Sequence, residues 1–266
     1  MEGKAICPPF EILAFYTAFD FSWDAQFDFS GECHEMWEIV FLTDGAVECV
    51  EDGKVYLLEQ GDTVLHAPME FHRIRSARGT SPSGYIISFT VRGELPAVLK
   101  NGVFRLDDGE ASAYCEICRK VIGFLRGEGD TAYAGQEAAA LLTAYLIRLS
   151  AGREANTRLV TSRSALTYRR LVSAMTEGAR EGKNLADIAA ACYVSVSYLK
   201  ALFRKYAGIS PKEYYTRMRL QHAITLLQSG YGAAEVADMM SFSSPNYFTA
   251  FLRRHTGKTP TAYKKG

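Results

Sequence analysis

The basic C-terminal third of the chain repeats itself. Leu185-Ala186-Asp187-Ile188-Ala189 returns as Ala233-Ala234-Glu235-Val236-Ala237, at an offset of 48. After one inserted residue the offset is 49, and Ser195, Leu199, Phe203, Gly208, Pro211 and Tyr214 fall on Ser244, Phe248, Leu252, Gly257, Pro260 and Tyr263. Two copies of one pattern fold as two copies of one supersecondary unit, which restricts this segment more than any compositional property does.

Each copy reads as two helices joined by a short turn. Leu185, Ile188, Ala189 and Cys192 fall at i, i+3, i+4 and i+7, and Leu199, Leu202, Phe203 and Tyr206 do so on the next helix, so each has one face to bury. Ser195 and Ser244 stand where an N-cap satisfies free amides, and Pro245 takes a first-turn position where the missing N–H costs nothing. Ser210-Pro211-Lys212-Glu213 has the form of a capping box opening a longer helix to Gln228, which would join the two units.

Removing the buried positions leaves Ser197, Lys200, Ala201 and Arg204 on the second helix of the first copy, and Asn246, Thr249, Ala250 and Arg253 on that of the second. A helix entering a DNA major groove needs small residues for close approach, amides or hydroxyls for base edges, and Arg or Lys for guanine or phosphate. An ordinary solvated face has a similar composition, but two equivalent faces are more easily explained by two neighbouring grooves. Arg204, Lys205, Arg253, Arg254 and Lys258 would serve mainly as phosphate contacts. His255 matches Tyr206 and is expected at the core edge.

The charge distribution agrees. The net charge is zero, yet from Arg163 onward there are 16 Lys and Arg against 6 Asp and Glu, and residues 1 to 162 carry 14 against 24. An acidic domain joined to a polyanion-binding one is the expected arrangement, with double-stranded DNA as partner. No stretch approaches the roughly 18 apolar residues of a membrane-spanning helix, so a cytoplasmic protein with no membrane partner is expected. Six scattered cysteines (Cys7, Cys33, Cys49, Cys115, Cys118, Cys192) do not form a disulfide framework, and Cys115 and Cys118 read as small apolar groups on one helix face.

These residues resemble the AraC/XylS regulators. The resemblance covers Leu166 to Tyr263 and is carried by Leu185-Ala186-Asp187-Ile188-Ala189, Leu202-Phe203-Arg204-Lys205, Gly208-Ile209-Ser210-Pro211, Tyr247-Phe248 and the closing Thr256-Gly257-Lys258-Thr259-Pro260-Thr261-Ala262-Tyr263. Leu252 departs from the usual Phe. The resemblance implies two helix-turn-helix motifs on a linker helix that read adjacent major grooves, in a regulator that is most often an activator acting on RNA polymerase. Ser195 and Ser244, together with the two outward faces and their basic neighbours, are then the DNA-binding set.

The acidic part reads as strands from Phe10 to about Arg92, with turns at Asp44-Gly45, Asp52-Gly53 and Gly61-Asp62. Helices follow, one from near Gly109 and one from Tyr133 to Ser150. This half resembles the cupin-like sensor domain of such regulators, best from His34 to Gly45 and from Gly61 to Pro68. The fold class is therefore α+β: a cupin-like β-barrel or jelly roll with helices at 1–152, a linker at 153–165, and an all-α double helix-turn-helix domain at 166–266. His34, Met36 and Glu38 share a face and could line an effector pocket with Trp37, His66 and His72, although His66 and His72 could equally be structural histidines. A small polar effector such as a sugar would suit this set. Catalytic cupins hold a metal with two histidines two apart, a later carboxylate and a third histidine; here Met36 replaces the second histidine and Glu38 lies close to His34, so neither metal nor cofactor is expected. The stripe Leu141, Leu142, Tyr145, Leu146 and Leu149 either packs within the domain or forms a homodimer contact. Two other readings remain: a cupin metalloenzyme with an appended DNA-binding domain, and a constitutive architectural DNA binder.

Overall fold

The computed structural model describes Ala5 and residues 7–100, 103–129, 131–151 and 159–263, and divides into two compact units, the first running to Glu51 and from Val55 to Val160, the second taking in Asp52–Lys54 and the chain from Thr161 on. The fold is α+β, with both sheets built in the first unit and the second built of helices.

The first unit opens with β1 (Phe10–Ser22), β2 (Trp37–Asp44), β3 (Ala46–Glu51), β4 (Lys54–Glu59), β5 (Asp62–His66), β6 (His72–Ser76), β7 (Ser83–Gly93) and β8 (Val103–Arg105). They form a five-stranded sheet, β1-β7-β2-β5-β8, and a three-stranded sheet, β4-β3-β6. The reversals use the expected glycines, since Gly45, Gly53 and Gly61 have φ of 74°, 91° and 84°, where an L side chain is strained. Two helices follow, α1 (Asp108–Leu125) and α2 (Thr131–Ser150).

Strand alternation divides the unit into three layers. On β2, Ile39 and Phe41 join the core shared with Tyr114, Ile117 and Val121 of α1 and with Leu142 and Leu146 of α2. Val40 and Leu42, one residue out of phase, join the core between the sheets with Val47, Cys49, Tyr56 and Ile74. β2 is thus covered on both faces, which is why it reads as a continuous apolar run rather than an alternating one.

That layering corrects one expectation about α2. Leu142, Leu146 and Leu149 are at most 1% exposed and Tyr145 7%, all inside this unit's own core. The stripe is broad because the helix is covered by the sheet and by α1 together, so these side chains are not available for a dimer contact. Leu141 lies at its edge, 36% exposed.

The second unit comprises α3 (Arg163–Glu181), α4 (Leu185–Ala191), α5 (Val196–Tyr206), α6 (Pro211–Gln228), α7 (Ala233–Met239) and α8 (Pro245–Thr256). The expected linker ends earlier than 165. Residues 153–158 lie outside those described, the Val160 amide donates to the Val55 carbonyl at 2.7 Å, and Ser162 caps α3 by accepting from the Ala165 amide. Ala165, Tyr168 and Leu171 are buried, so α3 belongs to the helical core.

The duplication reaches further back than the sequence comparison carried it. Arg170 on α3 donates to the Cys192 carbonyl at 3.0 Å, and Arg219 on α6 donates to the Met240 carbonyl at 2.9 Å. Arg170 and Arg219 stand 49 apart, and Cys192 and Met240 are the C-caps of α4 and α7. Each repeat is therefore three helices, with an arginine on the first satisfying a free carbonyl at the end of the second. The turn that follows uses a left-handed residue in both copies, Tyr193 at φ 55° and Ser241 at φ 53°.

Candidate functional site

On the helical unit, Ser195 and Ser244 cap α5 and α8: their hydroxyls accept from the Tyr198 and Tyr247 amides, each at 3.1 Å. The four buried residues of α5 are Leu199, Leu202, Phe203 and Tyr206, and those of α8 are Phe248 and Leu252. Ser197, Lys200, Ala201 and Arg204 are exposed on the opposite side of α5, as are Asn246, Ala250, Arg253 and Arg254 on α8, where Thr249 is half-buried. Lys258 is exposed beside Tyr263, while Lys205 turns back to donate to the Ser164 hydroxyl at 3.3 Å.

Three details depart from the sequence reading. Only half of the capping box at Ser210 forms: its hydroxyl accepts from the Glu213 amide, and the Glu213 carboxylate instead accepts from Arg217 at 2.8 Å. His255 is exposed, resting on the Phe251 ring 5.0 Å away, and is not at the core edge. Tyr193, 94% exposed, Tyr198 and Tyr247 are exposed as well, which the sequence did not mark, because exposure of an aromatic cannot be read from spacing alone.

On the strand unit, a cavity of about 330 Å³ opens between the sheets. His34, Met36, Glu38 and His72 line one end, joined by Glu32, which the sequence did not mark. Aromatic rings line the other: Trp23 stacks between Phe21 at 3.8 Å and Phe27 at 4.1 Å. Among the described residues, neither Lys nor Arg lines the cavity.

Two expected pocket residues lie elsewhere. Trp37 shares parity with Ile39 and Phe41 and therefore points into the helix-facing core, opposite Glu38. His66 faces inward but behind the cavity wall: it is fully buried, its ring stacks on His72 at 4.2 Å, and its Nδ1 lies 2.7 Å from Glu51 Oε1.

The polar end is set by backbone geometry. Glu32 and His72 form an antiparallel bridge, each amide donating to the other's carbonyl at 2.9 and 3.1 Å, which places their side chains together. Glu38 is held by the Ser88 hydroxyl, which donates to it at 3.0 Å. Burial alone would raise the Glu38 carboxyl, but His34, His66 and His72 around it outweigh that and hold it at about 2. The His72 imidazole keeps Glu32 below the usual carboxylate range, and the Glu38 carboxylate raises His34. The pocket thus combines an aromatic wall with a cluster of carboxylates and imidazoles.

Comparison with known proteins places both units. Residues 21–92 match the AraC-like ligand binding domain and residues 188–266 match a helix-turn-helix domain. The chain is similar to the uncharacterized HTH-type transcriptional regulators YidL and YijO of Escherichia coli, at 34% identity over 36% of this chain and 33% of YidL, and at 40% over 30% of this chain and 28% of YijO. It is also similar to the raffinose operon transcriptional regulatory protein RafR of Pediococcus pentosaceus, at 28% identity over 35% of this chain and 34% of RafR. In each case the chain spans about a third or less of the relative's length. With a ligand-binding module on the strand unit and a helix-turn-helix module on the duplicated helices, the chain belongs to the AraC family of transcription regulators.

Proposed function

We propose that this chain is a one-component transcription regulator that reads two successive major grooves with α5 and α8 and responds to a small effector held in the strand-unit pocket. The observation that carries this reading is the duplication itself. Two capped helices present equivalent small, polar and basic faces on a unit with a large excess of positive charge, opposite the buried Leu199, Leu202, Phe203 and Tyr206 of α5 and Phe248 and Leu252 of α8.

The pocket favours a neutral or cationic effector, because its titratable groups among the described residues are carboxylates and imidazoles, with no Lys or Arg among them to hold an anion. A sugar fits: its C–H face rests on the Trp23 stack and its hydroxyls donate to Glu32 and Glu38. The regulation of a raffinose operon by one relative supports that class. Activation through RNA polymerase and assembly as a homodimer follow family habit, and a cytoplasmic location accords with the lack of any single helix among the described residues long and apolar enough to cross a membrane. The curated relatives are regulators, which favours ligand binding over turnover in the pocket.

The test is genome-wide mapping of the sites bound by the full-length chain. The expected result is a small set of sites, each with two half-motifs about one duplex turn apart, beside genes for the uptake or breakdown of one metabolite. Binding without any shared motif would overturn the proposal. Ligand-induced thermal stabilisation by that metabolite, lost in Trp23→Ala, completes the assignment.

A further inference from the structure

We propose that Glu32, His34, Glu38 and His72 form a binding site for one divalent first-row transition metal ion, with Zn²⁺ the best fit, at the polar end of the effector pocket. One ligand atom from each of the four lies within 4.8 Å of the other three. His72 Nε2 stands 3.5 Å from Glu38 Oε1 and 3.8 Å from Glu32 Oε1, and His34 Nε2 stands 3.6 Å from Glu38 Oε2. Four ligands about 2.1 Å from a tetrahedral ion are roughly 3.4 Å apart, so these pairs need only small adjustments to close on one.

The imidazoles are the decisive observation. His34 Nε2 and His72 Nε2 are both buried without a hydrogen-bond partner, and His72 is 2% exposed. Their nearest polar neighbours are the Glu32 and Glu38 carboxylates at 3.5 to 3.8 Å, longer than a good hydrogen bond, and one cation between them would turn these long contacts into short metal bonds. Their other nitrogens are already engaged: His34 Nδ1 lies 3.1 Å from the Met36 carbonyl and His72 Nδ1 3.1 Å from the Glu70 carbonyl. A carbonyl can only accept, so each Nδ1 carries a proton, and in the neutral imidazole that a metal binds, each Nε2 aims its lone pair into the cluster. Fixing the tautomer through an outer carbonyl is how proteins orient metal-binding histidines. The Ser88 hydroxyl orients Glu38 in the same way.

The sequence concealed this set because its spacing is measured from the wrong residue. Taking His34 as the first of two histidines leaves Met36 as a gap, whereas Glu32 and His34 are the pair two apart and Glu38 is the later carboxylate. Glu32 is joined to His72 only by the backbone bridge across 40 residues. Two imidazoles and two carboxylates select a first-row ion such as Zn²⁺ over Mg²⁺ or Ca²⁺, which prefer oxygen alone. For its regulatory consequence the inference rests on the reading of this pocket as an effector site; the geometry stands without it.

The experiment uses the full-length chain stripped with a chelator and titrated with Zn²⁺ against a chromophoric competitor, and in parallel with Co²⁺ followed by its absorption spectrum. One Zn²⁺ per chain is expected, with a tetrahedral nitrogen and oxygen Co²⁺ spectrum. Glu32→Gln, at the half-exposed rim where folding is least at risk, should weaken binding about tenfold or more, and His72→Gln about a hundredfold, the range lost even when a mere outer partner is removed. If His72→Gln does not fold, Glu32→Gln and the spectrum of the unaltered chain still decide. Absence of stoichiometric zinc, or unchanged affinity in Glu32→Gln, overturns the proposal. So does a thiolate charge-transfer band, which would place the ion with Cys49, Glu51 and His66 behind the pocket. DNA binding is measured alongside in the stripped and the zinc-loaded chain: binding by a chain that takes up no stoichiometric zinc refutes this inference alone, and absence of binding in both states of a chain that does take up zinc refutes the regulator reading alone.

Discussion

Removing Arg204 and Arg253 together should flatten the salt dependence of DNA binding while leaving the fold intact. The repeat sets the two arginines 49 residues apart on the last turns of α5 and α8, and both side chains are exposed. Four phosphate-facing cations remain on this surface once Lys205, which turns to Ser164, is set aside: Arg204, Arg253, Arg254 and Lys258. If each neutralises one phosphate, log affinity falls with log salt at a slope of about −3.6, and the fourfold rise from 50 to 200 mM salt weakens binding roughly 150-fold. Without the two arginines the slope becomes about −1.8 and the same change weakens binding only roughly 12-fold. Fluorescence anisotropy of one labelled duplex titrated with the full-length chain at several salt concentrations measures both slopes. Thermal melting should move little, because exposed substitutions of this kind change stability by about 0.5 kcal/mol or less. A slope unchanged in a folded double variant would show that neither helix end lies near the phosphates, and the two-groove model would be wrong.

Lys200→Ala and Asn246→Ala should each cost about 1 to 3 kcal/mol and relax different base pairs in a selection from randomised duplexes; changes at the same base pairs would refute separate reading by α5 and α8. Leu142→Glu with Leu149→Glu should abolish folding of the strand unit rather than give a folded monomer, since each carboxylate would be buried among apolar side chains with a penalty of several kcal/mol. Circular dichroism and sedimentation decide that case, and a well-folded monomer would return the stripe to a dimer interface. Arg219→Ala should destabilise the helical unit by about 2 to 3 kcal/mol in denaturant unfolding, because a charged donor to the Met240 carbonyl is lost along with a guanidinium 4.2 Å from the Phe242 ring; a loss below about 0.5 kcal/mol would refute the role given to that contact.

What could be read from the sequence depended on whether the determining relation is local. The helices of the second unit were legible because a stripe at i, i+3, i+4 and i+7 and a cap at Ser195 or Ser244 are short-range facts, and the duplication supplied each of them twice. Arg170 and Arg219 obey the same offset, but an arginine capping a carbonyl on another helix has no periodic signature, so α3 and α6 were not recognised as the matching first helices of the two repeats and α6 read only as a linker. On β2 the alternation that put Glu38 in the pocket also excluded Trp37, and chemical suitability for a sugar had masked that parity. Breadth of an apolar stripe was a poor guide to assembly for a related reason: α2 is covered from two sides by its own unit, and a sequence gives the width of a stripe without saying how many partners share it.

The polar end of the pocket was the least legible part, and the cause is topological. His34 and Glu38 lie close in sequence, but their companions are fixed by pairing across 40 residues between the segment before β2 and the start of β6, a register that depends on the whole sheet. No residue in that set is unusual by itself. A half-exposed glutamate reads as a solvated charge and a histidine near a strand end as a satisfied one, until the backbone bridge brings Glu32 against His72 and leaves two imidazole nitrogens facing the same carboxylates without a hydrogen bond to either. The convergence of these nitrogens gives the cluster a meaning that residue type could not. Neutral drift could supply a carboxylate at this rim, whereas two imidazoles each oriented by a separate carbonyl, both aimed at one point beside two carboxylates, form the set that a single cation would draw together.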